Sequence, residues 1–80
     1  MKVSMVSRKV VRSYNDYVSF KRNGGITSYQ LDNDVLDVIS IRRVDSQRKV
    51  NEFHWDFRHK EVSFRGTAEE IVVKCKIKNQ

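Results

Sequence analysis

The sequence predicts an all-β domain, mainly antiparallel, with five or six strands in a small barrel or sandwich. Three observations carry that expectation. Valine occurs 12 times, leucine twice and alanine once; β-branched residues suit a pleated surface, whereas Ala and Leu are the best helix formers. Proline is absent, so no ladder donor is missing. Several runs alternate apolar and polar residues at a period of two, and the clearest is Ile71-Val72-Val73-Lys74-Cys75-Lys76-Ile77-Lys78. The alternative is an α+β chain with one short helix near 33–40 or 67–71.

The elements follow in order. Lys2 to Tyr14 is rich in Val and Ser and reads as a strand, with a break expected near Arg8-Lys9. Asn23-Gly24-Gly25 then interrupts two strand-like runs, and residues that tolerate positive φ there suggest a tight hairpin. Centred on Gly24-Gly25, that turn sets Phe20 opposite Tyr29 and Val18 opposite Leu31. Centred on Asn23-Gly24, it sets Val18 opposite Tyr29. Val35 to Val44 reads as a strand, or as a strand preceded by a short helix. Asp32, Asn33 or Asp34 can cap an N-terminus, and Val35, Val38 and Ile39 fall at helical spacing.

Asn51 to Arg58 alternates cleanly, with Phe53, Trp55 and Phe57 on one face and Glu52, His54, Asp56 and Arg58 on the other. A reversal at His59-Lys60 sets Phe57 against Val62 and Trp55 against Phe64, with Arg58 against Glu61 and His54 against Arg65. Thr67-Ala68-Glu69-Glu70 fits a capping box. The strict alternation from Ile71 onward limits any helix there to a turn. It also puts Ile71, Val73, Cys75 and Ile77 on a buried face and Lys74, Lys76 and Lys78 on the other.

Eighty residues make a single domain, 1–80, whose small core leaves it marginally stable. The net charge is +6, unevenly spread. Residues 1–30 carry six bases (Lys2, Arg8, Lys9, Arg12, Lys21, Arg22) and Asp16 as the one acid, whereas residues 31–80 carry ten bases and nine acids. Such asymmetry points to a polyanionic partner. Solubility alone is the plainer explanation. The single cysteine, Cys75, excludes an internal disulfide framework and suits a reducing, cytoplasmic compartment of a cell or an infected host. The first residues lack the apolar stretch of a signal peptide, and no run approaches a membrane span, so no membrane association is expected. The short length and sparse Ala and Leu suit a virus- or mobile-element-encoded protein.

No enzyme or cofactor motif stands out. Glu52, His54, Asp56 and Arg58 share a face that has the groups for phosphodiester cleavage: His54 to move a proton, Asp56 to orient it, Arg58 or Arg65 to stabilise a pentavalent phosphate. Alternating polar residues are also the default of any solvated strand face, so ribonuclease activity is a distant third reading. His54, His59 and Cys75 lack metal-ligand spacing, and Asp32, Asp34 and Asp37 lack the glycine and terminal glutamate of a calcium loop. No cofactor or metal is expected. Phe53, Trp55, Phe57 and Phe64 read as core, while Tyr14, Tyr17 and Tyr29, near Arg12, Lys21 and Arg22, are the better stacking candidates.

The leading expectation is therefore a small basic non-enzymatic protein that contacts the nucleic-acid phosphate backbone through Arg8, Lys9, Arg12, Lys21, Arg22, Arg42, Arg43, Lys74, Lys76 and Lys78. Arg42-Arg43 and Arg48-Lys49 bracket Val44 to Gln47 as a basic loop. The alternative is a protein-binding module or inhibitor that docks on an acidic protein partner. A homodimer through edge-strand pairing is expected from the small size.

Overall fold

Alternation in the last strand organises the molecule. The computed structural model describes residues 2–13, 18, 20–22, 24–66 and 68–79. Among these residues lie six strands: β1 (Lys2–Val11), β2 (Ile26–Gln30), β3 (Val35–Arg43), β4 (His54–Asp56), β5 (Glu61–Arg65) and β6 (Glu70–Asn79). They form two three-stranded sheets, ordered β1-β6-β3 and β2-β5-β4, and every pairing is antiparallel. Ile71, Val73 and Cys75 of β6 and Val35, Val38 and Ile41 of β3 meet Tyr29, Val62 and Phe64 of the other sheet in one core. The predicted all-β fold is thus a sandwich.

Polar anchors tie the two sheets. The Tyr29 ring stacks on Phe64, centroids 5.5 Å apart, and its buried hydroxyl donates to the Ala68 carbonyl just before β6. The Ala68 N–H donates back to the same hydroxyl. Within the second sheet, Thr27, fully buried, donates to the Gly66 carbonyl just after β5. Arg8, on the inward face of β1, is held by Asp32 and by both oxygens of Asp34, each bond 2.8 Å.

Several sequence expectations need correction. The first hairpin does not form. Val18, Phe20, Lys21 and Arg22 are helical, and the glycines end that turn. Gly24 takes φ +67°, and the Gly25 N–H donates to the Phe20 carbonyl, the six-to-one bond of a glycine helix stop. A helix stop and a hairpin turn both demand positive φ, which is why the signal misled. β2 pairs instead with β5, with Tyr29 opposite Val62. Asn23 lies outside the described residues.

β1 is unbroken at Arg8-Lys9 and pairs with β6 from Lys2↔Asn79 to Val11↔Glu70. The inward charge at Arg8 is matched by Asp32 and Asp34, so the strand has no reason to break. No helix precedes or occupies 33–40. The helix-like spacing arises because β3 has two register shifts against β6, between Val35 and Asp37 and between Val38 and Ser40. Each bulge inserts a residue, so Val35, Val38 and Ile41 all point inward while Ile39 is exposed. Nor is there a helix over 68–71: Ala68 is tied to Tyr29 and β6 starts at Glu70. Thr67 of the proposed capping box lies outside the described residues.

The second hairpin forms two residues out of the expected register. Trp55 faces Val62, His54 faces Ser63 and Asp56 faces Glu61. The Asp56 carboxylate accepts the N–H groups of Arg58 and His59, and Lys60 takes φ +53°, so the loop is Phe57 to Lys60. Phe57 therefore leaves the core. It is 57 % exposed, with the Lys60 ammonium 3.8 Å from its ring centre. Phe64 is buried as expected, and Phe53 and Trp55 pack half-buried against the core. The Trp55 Nε1 is buried without a partner among the described residues.

The Tyr29 hydroxyl serves both polar groups of Ala68, so Tyr29→Phe strands two buried backbone groups. The expected loss is about 1–3 kcal/mol. Urea unfolding with an unchanged slope and a lower midpoint checks it; an unchanged midpoint contradicts the anchor.

Candidate functional site

Residues directly paired in an antiparallel ladder share a face. The outer face of the β1-β6-β3 sheet follows from the register. Val3 lies opposite Lys78, Met5 opposite Lys76, Ser7 opposite Lys74 and Lys9 opposite Val72. On the other side Asp37 pairs with Lys76, Ser40 with Lys74 and Arg42 with Val72. Lys74, Lys76 and Lys78 are exposed, as their alternation predicts, and enter no ion pair among the described residues. The face carries Lys9, Arg42 and the three lysines as bases against Asp37 and Glu70 as acids. It is not wholly polar: Val3 and Met5 are 50 % and 51 % exposed.

The remaining predicted contacts scatter. Lys9 joins the lysine face, with Glu70 at 3.5 Å. Arg42 joins it too, one Nη donating to the Gln47 carbonyl. Arg8 points the other way into its two carboxylates, which serve as a clasp between β1 and the β2–β3 connection. Arg43 lies at the sheet end and pairs with Asp45 at 3.3 Å. Arg12 follows β1, half-buried, its N–H donating to the Glu69 carbonyl. Lys21 and Arg22 are exposed on the helical turn. Among the stacking candidates, Tyr29 is fully buried and therefore core; Tyr14 and Tyr17 lie outside the described residues.

Ion pairs shift the titration of their members in predictable directions. The Arg8 guanidinium holds the Asp34 carboxyl below its ordinary value through a hydrogen bond, and Arg43 does the same to Asp45. Burial pushes the Cys75 thiol up, which fits a small apolar side chain in the core.

The face once suggestive of catalysis is arranged differently. Asp56 bonds the Nδ1 of His59 at 2.8 Å, and this contact replaces any hydrogen bond to His54. Ser63, rather than Arg65, sits across from His54. Asp56 and Glu61, paired carboxylates, both raise the pKa of the adjacent His59. Among the described residues no group of three or more His, Cys, Asp or Glu is placed to hold a metal ion, and no helix is long and apolar enough to cross a membrane. Neither a protein-family model, nor a curated protein, nor a solved structure shows a significant match to the chain.

Sequence reading missed one cluster. Arg43, Arg48, Lys49 and Arg65 line a single concavity between the ends of the two sheets. Arg42-Arg43 and Arg48-Lys49 were visible as a basic loop, but Arg65 comes from another hairpin, and nothing local signals its approach.

The His59–Asp56 bond raises the His59 pKa above its ordinary 6.5, first through the hydrogen bond and then through charge. Asp56 is lowered in return. The raised His59 contributes stability that is present below about pH 6.5 and lost as pH rises through the folded value. The lowered Asp56 contributes stability that is present above the ordinary carboxylate range and lost as pH falls through its folded value. NMR titration should place the His59 midpoint above that of His59 in Asp56→Asn. Coincident midpoints contradict the pairing.

Proposed function

We propose that this protein is a non-enzymatic nucleic-acid-binding protein that holds the phosphate backbone against the outer face of the β1-β6-β3 sheet. The observation that carries this reading is the row Lys74, Lys76, Lys78 on a strand hydrogen-bonded along both edges, its ammonium groups not consumed by ion pairs among the described residues. Alternate residues of a strand lie about 6.8 Å apart, twice the ~3.4 Å axial spacing of phosphates on one strand of a duplex. Lysine stems are long enough to absorb the remaining mismatch. Lys9 and Arg42 extend the row on both flanks. Point charges on flexible stems give affinity with little sequence specificity. Arg8 and Arg43, each held by carboxylates, belong to the scaffold in this reading. A cytoplasmic setting fits a chain whose one cysteine is a buried free thiol.

A second reading has its own observation. Val3, Met5 and Val11 are exposed on β1, an outer strand of its sheet, and Val3 and Met5 lie beside Lys78 and Lys76 of the same row. Apolar groups flanking cations on an edge strand suit an acidic protein partner, or a second copy that pairs edge to edge. A stoichiometric protein captured from nuclease-treated lysate favours this reading over the first, and sedimentation at twice 9.5 kDa identifies the second copy.

The first reading is tested by salt titration of binding to short single- and double-stranded DNA and RNA. Affinity should fall steeply with salt. Changing Lys74, Lys76 and Lys78 together to Gln should leave the thermal melt unchanged and flatten the log–log salt slope by up to about 2.7 units, near 0.9 per lost phosphate contact. Absence of binding at low salt, or an unchanged slope in the triple variant, removes this reading.

A further inference from the structure

The chain between β3 and β4 folds back on the end of β3. The Arg43 N–H donates to the Arg48 carbonyl and the Val50 N–H to the Ile41 carbonyl, both 2.8 Å, while Arg42 bridges Lys49. Gln47, at φ +59°, completes the reversal. Residues 48–52 then pass the end of β5 on their way to the second sheet, opening a concavity of about 490 Å³ in the seam between the sheets.

Its walls are unbalanced in charge. Arg43 comes from the first sheet, Arg65 from the second, and Arg48 and Lys49 from the connection; Glu52 is the one carboxylate among the described residues of the lining. Arg43 is oriented by Asp45, which engages its Nε and one Nη at 3.3 Å. Its other Nη lies close to Gly66, 3.6 Å from where a Cβ would stand. Arg48, Lys49 and Arg65 enter no ion pair among the described residues. Asp45 offsets Arg43 and Glu52 offsets one further charge, and the positive excess that the lining keeps is relieved by a bound anion.

We propose that this seam is a binding site for a phosphomonoester. The guanidinium forks of Arg48 and Arg65 and the Lys49 ammonium, beside the Asp45-held Arg43, complement a group with three free oxygens and a charge near −1.5 to −2 at neutral pH better than a singly charged internal diester. The volume lies within the range of small-ligand sites, enough for a phosphate with its attached sugar. The lysine face is elsewhere, on the outside of the first sheet, so the proposal does not rest on the nucleic-acid reading. The phosphomonoester is either a free nucleotide or the terminal phosphate of an oligonucleotide.

Calorimetry and NMR on the full chain in phosphate-free buffer test it, using a nucleoside, its 5′-monophosphate, and one oligonucleotide with and without a 5′-phosphate. The monophosphate should bind about tenfold or more tighter than the nucleoside and shift the side-chain resonances of Arg43, Arg48 and Arg65. Arg48→Gln with Arg65→Gln should abolish that advantage, whereas the Lys74, Lys76, Lys78 triple Gln variant should retain it. Arg48→Gln alone, at an exposed loop position, should weaken it by several-fold and serves if the double variant melts early. An advantage for the phosphorylated oligonucleotide that the double variant loses assigns the source to a nucleic-acid end. An advantage for the free monophosphate alone assigns it to a nucleotide. Equal binding of nucleoside and monophosphate, or wild-type phosphate binding by the folded double variant, overturns the proposal.

Discussion

β6 is the strand on which the rest of the molecule depends. It is hydrogen-bonded to β1 along its full length and to β3 along most of it. Its alternation sends Ile71, Val73 and Cys75 into the core and Lys74, Lys76 and Lys78 outward. In so small a domain a one-residue slip would bury three ammonium groups and expose three apolar side chains, so the register is strongly specified. The same constraint that closes the core therefore creates the cationic face.

The second sheet is held to β6 by few but specific contacts. Its central strand β5 supplies Val62 and Phe64, and its neighbour β2 supplies Tyr29, whose hydroxyl reaches the turn that launches β6. Arg8 adds a clasp between β1 and the β2–β3 connection, where the paired carboxylates keep a half-buried cation from weakening β1. Not every group is satisfied so well: the Trp55 Nε1, without a partner among the described residues, is a cost that the packing of the indole must outweigh. Ion pairs near the surface, such as His59 with Asp56, shape the β4–β5 turn more than they stabilise the whole.

What could be read from the chain was what local periodicity encodes. β6 was legible because it is central and strictly alternating, and the lysine row came with it. β3 was ambiguous because two bulges convert a period of two into a spacing of three, which imitates a helix. Gly24-Gly25 was ambiguous because positive φ serves a helix stop as well as a hairpin. The second hairpin slipped two residues because Asp56 captures the loop N–H groups, a side-chain preference that outranks cross-strand matching. Among the candidate contacts, nothing local showed that Arg8 would meet Asp32 and Asp34, more than twenty residues away, or that Arg65 would join Arg43 and Arg48. Those are products of topology.

The central claim is that the outward face of β6 is the surface a polyanion covers. Lysine acetylation rates, read residue by residue with mass spectrometry at low salt with and without a saturating oligonucleotide, test it most directly. Lys60 is the internal reference, since its ammonium donates to the Val35 carbonyl and sits over Phe57. The account predicts that Lys74, Lys76 and Lys78 slow together by several-fold while Lys60 keeps its rate, because only the row is occluded. Unchanged rates at all three lysines while the oligonucleotide is bound would contradict it.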